Sequence, residues 1–394
     1  MLGAIIGDIV GSRWEFNPTN DYNFQLFSDE NDFTDDTICT VAVADALLKG
    51  RDFGQSIHDW CRRYPHPMGG YGCSFAGWVQ SDNPQPYGSY GNGAAMRVSP
   101  VGWICHSRDH ILMLAEQTAT CTHNHPEGIK GAQTVALAIY MANIGRRYNL
   151  SAIDIVKNVI KECVEFSGYK INFQKEDVVN KFDETCQGTV PVALWIINQS
   201  NGFEDAVRRS VSLGADADTL GAIVGSIAEA IWGIPEAIKE KALSFLDDGM
   251  KGLLRKWRRS DKIKGINIRQ FTKKYIDYFL NDFNPESSSY YDFFESSTFP
   301  HECWSLGFEM DCGKSFIEAY GEEAWKNERG LSGVIDKMND LRIMGSGLFS
   351  EWRYWSHWSW GLATEEDKRW FLMLLRRMQE LTSGTDVNNT TNDL

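Results

Sequence analysis

Residues 213–235 read LGADADTLGAIVGSIAEAIWGIP. From Asp218 onward the run is apolar at helical spacing, and Gly233-Ile234-Pro235 ends it, since proline has no N–H with which to continue a helix. At its head stands Asp216-Ala217-Asp218-Thr219, which sets two carboxylates and a hydroxyl at a helix start. The arrangement occurs again upstream. Phe33-Thr34-Asp35-Asp36-Thr37 precedes ICTVAVADALLKG, Thr34 and Asp35 are good N-cap types, and Gly50 stops the run.

Outward from these two helix starts, helical patterning dominates. Gly3, Gly7 and Gly11 fall four apart, on one face of a first helix, where they let another backbone approach closely. Further helices are expected over 53–63, 108–120, 127–146, 151–165, 188–199, 202–212, 236–247 and 268–281. Strand-like alternation is scarce. The expected class is all-α, an orthogonal bundle of many short helices rather than an up-down one. Residues 65–102 are dense in Gly, Pro, Ser and Tyr and lack a sustained period, as functional irregular segments do.

Composition divides the chain further. A catalytic domain is expected over 1–283. A smaller, mainly helical domain follows over 284–385, entered through NPESSSYYDFFESSTFP and holding seven of the fourteen tryptophans. Those tryptophans suit either a small aromatic core or a surface for a protein partner. The tail over 386–394 has few apolar residues and is expected to be disordered.

The chain has 394 residues and a formal net charge of -14, which argues against general nucleic-acid binding. Nine cysteines stand singly without a CxxC pair, so reduced thiols in a cytoplasmic protein are expected. The apolar start MLGAIIGDIVGS lacks a basic leader and is interrupted by Asp8, and no stretch is long and apolar enough to span a bilayer.

The two Asp-Thr clusters carry the chemistry. Asp and Thr supply the hard oxygen ligands that Mg²⁺ prefers, although both also belong at ordinary N-caps. If the two helix starts face each other, four carboxylates converge, and a pair of divalent cations relieves their repulsion. Gly7-Asp8-Ile9-Val10-Gly11 followed by Glu15 is a third acidic element. Tyr87-Gly88-Ser89-Tyr90-Gly91-Asn92-Gly93-Ala94-Ala95-Met96-Arg97 is a Gly-rich loop opening onto a helix, able to aim backbone N–H groups at a phosphate. Thr122-His123-Asn124-His125-Pro126 has two histidines but no cysteine to complete a zinc site, so a substrate-contacting histidine is the better reading.

In order, GAIIGDIVGSRWEF, FTDDT, GSYGNGAAMRVSPVG, THNHPEG and LGADADTLGAIVGSIAEAIWGIP resemble the ADP-ribosylglycohydrolase family, which includes the dinitrogenase-reductase-activating glycohydrolases. The resemblance spans roughly residues 1–250. It implies an all-α fold with two Mg²⁺ (or Mn²⁺) ions held by Thr34, Asp35, Asp36, Asp216, Asp218 and Thr219. It implies substrate contacts from Ser89, Tyr90, Gly91, Asn92, Gly93, Met96 and His123. Glu15, Asp35 and Asp36 are the implied catalytic carboxylates, with Glu15 close to the metals. The family usually reads GGDADT, and Ala215 here replaces the second Gly, a costly change if that position needs a positive φ.

The resemblance also implies the reaction: hydrolysis of an N- or O-glycosidic bond at a ribose anomeric carbon, with oxocarbenium character, on an ADP-ribosylated protein, nucleic acid or small molecule. Two alternatives stay open. The chain is an ADP-ribose reader or an immunity protein that blocks an ADP-ribosylating toxin, or it hydrolyses a free nucleotide-like metabolite.

Overall fold

The computed structural model describes residues 1–104, 108–147, 150–283, 299, 302, 303, 306, 308, 313–357 and 364–383, without the side chains at 147, 258–267, 353–357 and 383. The chain divides into two compact units, Met1–Trp257 and Arg258–Leu394.

The first unit is built from α1 (Leu2–Gly11), α2 (Asp35–Lys49), α3 (Phe53–Arg63), α4 (Cys73–Gln80), α5 (Gly93–Met96), α6 (Ser99–Ile104), α7 (Arg108–Thr120), α8 (Pro126–Arg147), α9 (Ala152–Ser167), α10 (Lys175–Val178), α11 (Cys186–Gln199), α12 (Phe203–Val211), α13 (Ala217–Trp232) and α14 (Glu236–Phe245). The helix α15 (Asp248–Asn281) runs on across the division. Among the described residues the only β-type pairing is one antiparallel bridge, Gly91 to Thr185. The all-α expectation is met.

All ten residues of α1 are buried, and in α13 only Glu229 and Trp232 are not. Helices apolar on every side belong inside a core. α13 takes that place, flanked by α1, α8, α11 and α12. The glycine stripe sets how closely α1 meets it. A Cβ at Gly3, Gly7 or Gly11 would lie 2.2, 1.9 and 2.2 Å from the carbonyl oxygens of Gly225, Gly221 and Ala217. The two helices therefore run antiparallel, backbone on backbone. The C-terminal end of α1 meets the N-terminal end of α13, and that junction positions the site.

Two segments differ from the sequence expectation. Residues 65–102 contain α4, α5 and α6, four to eight residues each, too short to show a helical period. α15 starts at Asp248 rather than 268, because the basic run Lys251–Lys264 masks its apolar stripe. The division between the units falls within α15, upstream of the 283/284 position that composition suggests. Residues 284–298 and the tail 386–394 lie outside the described residues.

The second unit contains α16 (Lys314–Tyr320), α17 (Glu322–Lys326), α18 (Glu328–Ser332), α19 (Leu341–His357) and α20 (Glu365–Ser383). Its core is aromatic. Phe279, Phe299, Phe316, Phe349, Phe371, Trp352 and Trp370 are all buried, and Trp325 packs against them. Trp370 lies 5.9 Å from the Trp325 ring and donates its indole N–H to the Ala324 carbonyl at 2.9 Å. Trp352 and Trp370 are core residues, and Trp325 is half-buried at the edge of that core. The side chains of Trp304, Trp355, Trp358 and Trp360 lie outside the described residues.

Candidate active site

The antiparallel contact of α1 with α13 brings Asp8 and Glu15 to the start of α13, and the start of α2 meets them there. Asn31 fixes the approach to α2: its amide donates to the Ile9 carbonyl at 2.7 Å, and the Asp32 N–H donates to Ser12 Oγ at 3.2 Å. Asp8, wholly buried, then accepts from the N–H of Thr34 and of Thr37, both at 3.0 Å, and from Thr34 Oγ1 at 2.8 Å. A carboxylate from α1 thus satisfies two of the free donors at the start of α2 and sits at the positive end of its dipole.

The sequence-predicted ligands converge. Thr34 is the N-cap of α2, and its Oγ1 also accepts from the Asp36 N–H. Asp36 Oδ2 accepts from Thr219 Oγ1 at 3.1 Å, tying the two clusters together. Asp216 occupies the N-cap position of α13 but makes no capping bond. Its Oδ2 accepts instead from the Asn92 amide at 2.7 Å, and Asn92 also donates to Thr189 Oγ1 at 3.1 Å. Asp36, Asp216, Asp218, Thr34 and Thr219 are buried, while Asp35 is half-buried.

Two carboxylate triads share Asp218. Asp8, Asp36 and Asp218 form one, and Glu15, Asp216 and Asp218 the other, with one oxygen of each residue within 4.8 Å of those of its partners. Asp36 Oδ1, Asp218 Oδ1 and Glu15 Oε2 are buried without a hydrogen-bond partner. Among the described ion pairs none involves these carboxylates. Burial first, and repulsion from Asp218 second, push Asp8 up to about 7 and Glu15 up to about 8. The same two causes hold Asp35, Asp36 and Asp216 well above the usual carboxylate range, and the buried Arg97 guanidinium pulls Asp35 partly back. Burial raises Asp218 as well. Hard oxygens, orphaned and crowded, fit divalent cations such as Mg²⁺. Asp8 joins this donor set although no cluster at a helix start contains it. Its signal in the sequence is a lone carboxylate inside the apolar run GAIIGDIVG.

The Gly-rich loop lies beside the acids, pinned from both sides. Gly88 N–H donates to Asn124 Oδ1 at 2.7 Å, Gly91 N–H to Ser89 Oγ at 3.1 Å and Asn92 N–H to the Glu184 carbonyl at 2.7 Å. The loop therefore spends three of its expected phosphate donors internally. Tyr90 is 46% exposed with its ring 5.2 Å from His125, so it borders solvent. Gly93 and Met96 begin and end α5, with Met96 buried. A Cβ at Gly93 or Gly91 would lie 3.1 or 3.4 Å from His123 Nε2, which places His123 directly behind the loop. Ala215 costs the backbone nothing: Asn180 is the only described non-glycine residue with positive φ, and the left-handed position, φ +71°, is Gly214. Ala215 instead joins Asp216, Phe173, Val178 and Leu220 in lining a cavity of about 210 Å³.

An all-α unit that buries a polyacidic centre between two helix starts, with a glycine loop alongside, defines a narrow class. The chain belongs to the ADP-ribosylglycohydrolase family, whose family model matches residues 1–266, and hydrolytic removal of ADP-ribose is the activity that family supports. It is 25% identical over 277 residues to the ADP-ribosylarginine hydrolase Tri1 of Pseudomonas putida (strain GB-1), covering 62% of this chain and 73% of the relative. It is also 25% identical over 323 residues to the ADP-ribosylhydrolase ARH3 of Homo sapiens, covering 62% of this chain and 88% of the relative. A solved structure, an ADP-ribosylglycohydrolase-related protein complex, superposes with a TM-score of 0.43 at 23% identity, covering 62% of this chain and 95% of that one. Among the described residues no helix is long and apolar enough to cross a membrane.

Proposed function

We propose that this chain removes ADP-ribose from a modified target by metal-assisted hydrolysis of an N- or O-glycosidic bond at the ribose anomeric carbon. The observation that supports this most is the pair of carboxylate triads sharing Asp218, with orphaned oxygens on Asp36, Asp218 and Glu15. Thr34, Asp35, Asp36, Asp216, Asp218 and Thr219 would hold two Mg²⁺ or Mn²⁺ ions, with Asp8 close enough to contribute. Bound there, the cations supply Lewis acidity and neutralise the carboxylate charge.

The chain's own groups do the rest. The loop Ser89–Gly93 and His123 hold the diphosphate and its ribose, and Asn92 ties that loop to Asp216, so substrate binding and the acidic centre share one frame. A carboxylate takes a proton from the water that attacks the anomeric carbon. Asp36 and Glu15 are the candidates, each with a bond-free oxygen, and Glu15 is favoured because it is the less buried of the two. The described cysteines are all free thiols, which agrees with the cytoplasmic location we propose.

The test is release of free ADP-ribose from arginine-linked, serine-linked and nucleic-acid-linked substrates, with Mg²⁺ and with EDTA. Cation-dependent release from one class is expected. Release that persists unchanged in EDTA overturns the metal-assisted route. ADP-ribose binding with no release from any class overturns hydrolysis and leaves a reader.

A further inference from the structure

Arg97 is 1% exposed and makes no ion pair among the described residues, an expensive placement for a guanidinium. Its Nη2 donates to the Thr118 carbonyl at 2.8 Å and to Thr122 Oγ1 at 2.6 Å. Thr122 Oγ1 in turn lies 2.7 Å from His123 Nδ1, and Thr122 is fully buried.

The direction of this chain of bonds follows from the donor inventory. A guanidinium only donates, so Thr122 Oγ1 accepts from Arg97. The hydroxyl has one proton and two neighbours that can take it, His123 Nδ1 at 2.7 Å and the Cys121 sulfur, of which the ring nitrogen is much the stronger acceptor. Were Nδ1 protonated instead, the buried hydroxyl proton would be left with the weakly accepting Cys121 sulfur alone. Nδ1 is therefore the acceptor and the ring proton sits on Nε2. That nitrogen makes no hydrogen bond among the described residues and faces the backbone of Gly91 and Gly93. Burial, and then the nearby Arg97 charge, lower the proton affinity of His123, so the ring stays neutral.

We infer that Arg97 and Thr122 are positioning residues that lock His123 as its neutral Nε2–H tautomer, presenting one N–H donor to an anionic or hydroxylic ligand group lodged against Gly91–Gly93. The identity of that ligand as ADP-ribose rests on the proposed function; the lock itself does not. With the other tautomer, Nε2 would turn a lone pair toward the oxygens of a phosphate or ribose, so the lock decides whether this contact attracts or repels.

The test uses the full chain labelled with ¹⁵N-histidine, with His123 assigned by the signal lost in His123→Asn. Long-range ¹H–¹⁵N spectra should show Nδ1 unprotonated and Nε2 protonated at neutral pH. Thr122→Ser should keep this pattern, and Thr122→Val, nearly isosteric, should lose it. ADP-ribose affinity by calorimetry should fall roughly tenfold in Thr122→Val and stay near wild type in Thr122→Ser. A wild-type ring protonated on Nδ1, or on both nitrogens, overturns the inference without any variant. So does a Thr122→Val protein that keeps the fixed Nε2–H signal and normal affinity. A wild-type Nε2–H tautomer without ADP-ribose binding supports the lock and overturns the proposed ligand instead.

Discussion

Replacing Gly7 with alanine should damage both stability and activity, from a position with no functional atom. A Cβ there would stand 1.9 Å from the Gly221 carbonyl oxygen and 2.2 Å from its carbonyl carbon. Both are backbone atoms of a buried helix, so no side chain can swing away. Restoring ordinary contact, at 3.4 Å, means parting α1 from α13 by about 1.5 Å. Overpacking a core costs about 1–3 kcal/mol, and the upper end applies where backbone must move. The same displacement separates Asp8 on α1, and Glu15 just past its end, from Asp216 and Asp218 at the head of α13. A misplacement of about 1 Å in a catalytic array can cost on the order of 10²-fold in rate. Gly77→Ala is the control: it lies in α4, exposed, with nothing within 4 Å of the added carbon, and should be neutral or stabilise by about 0.5–1 kcal/mol. Urea unfolding monitored by circular dichroism gives the stabilities, and release of ADP-ribose gives the rates. A Gly7→Ala protein within about 0.5 kcal/mol of wild type, at normal rate, would refute the claim that backbone contact holds the acids together.

Asp218→Asn should abolish turnover and yet raise the melting temperature in EDTA, because Asp218 is the charge that the other carboxylates share; a lower melting temperature in EDTA would count against the repulsion. In EDTA the unfolding free energy should fall as pH rises from about 4 to about 8, since the folded state then holds more protons than the unfolded one, with a slope of about 1.4 kcal/mol per pH unit from a buried group such as Asp8 and less from the part-solvated Glu15. Mg²⁺ should reverse that trend, its stabilising shift growing with pH as protons leave the ligands, and calorimetric scans across the range would show a flat response if the raised carboxylates are absent. Trp370→Ala should cost the second unit about 3–5 kcal/mol and Trp370→Phe clearly less, because Phe retains most of the buried ring and loses the bond to Ala324; equal costs in denaturant titrations would mean that packing is not what Trp370 provides.

The two acidic helix starts were legible because carboxylates and hydroxyls ahead of long apolar runs show in one dimension. The glycine stripe of α1 was legible for the same reason, though its partner glycines, Gly221 and Gly225, show only once the antiparallel pairing is known. Asp8 was visible as an interruption in an apolar run, but its place in the donor set depends on which helix start it caps, a contact across 26 residues. The Arg97–Thr122–His123 chain was not legible at all. Arg97 reads as the ordinary end of a Gly-rich loop, and nothing local says that a charged side chain turns into the core. Helices shorter than three turns stayed hidden inside residues 65–102, where Gly and Pro dominate the composition.

The centre combines features that would each be destabilising alone. Six carboxylates stand within a few side chains of one another, most of them buried, and the chain offers no cation among its described ion pairs to balance them. Left to mobile loops, such groups would move apart, because relaxation costs a loop little. Here three of them, Asp36, Asp216 and Asp218, sit at the starts of two largely buried helices, α2 and α13, and Asp8 sits inside a third, α1. To separate the carboxylates, α1 would have to leave α13, and that means opening a backbone contact lined with glycine along its whole length. The repulsion is thus held in by apolar burial elsewhere on the same two helices. The glycine stripe and the acidic triads are two parts of one device: close helix packing keeps the negative charge concentrated, and that concentrated charge gives a divalent cation its reason to bind.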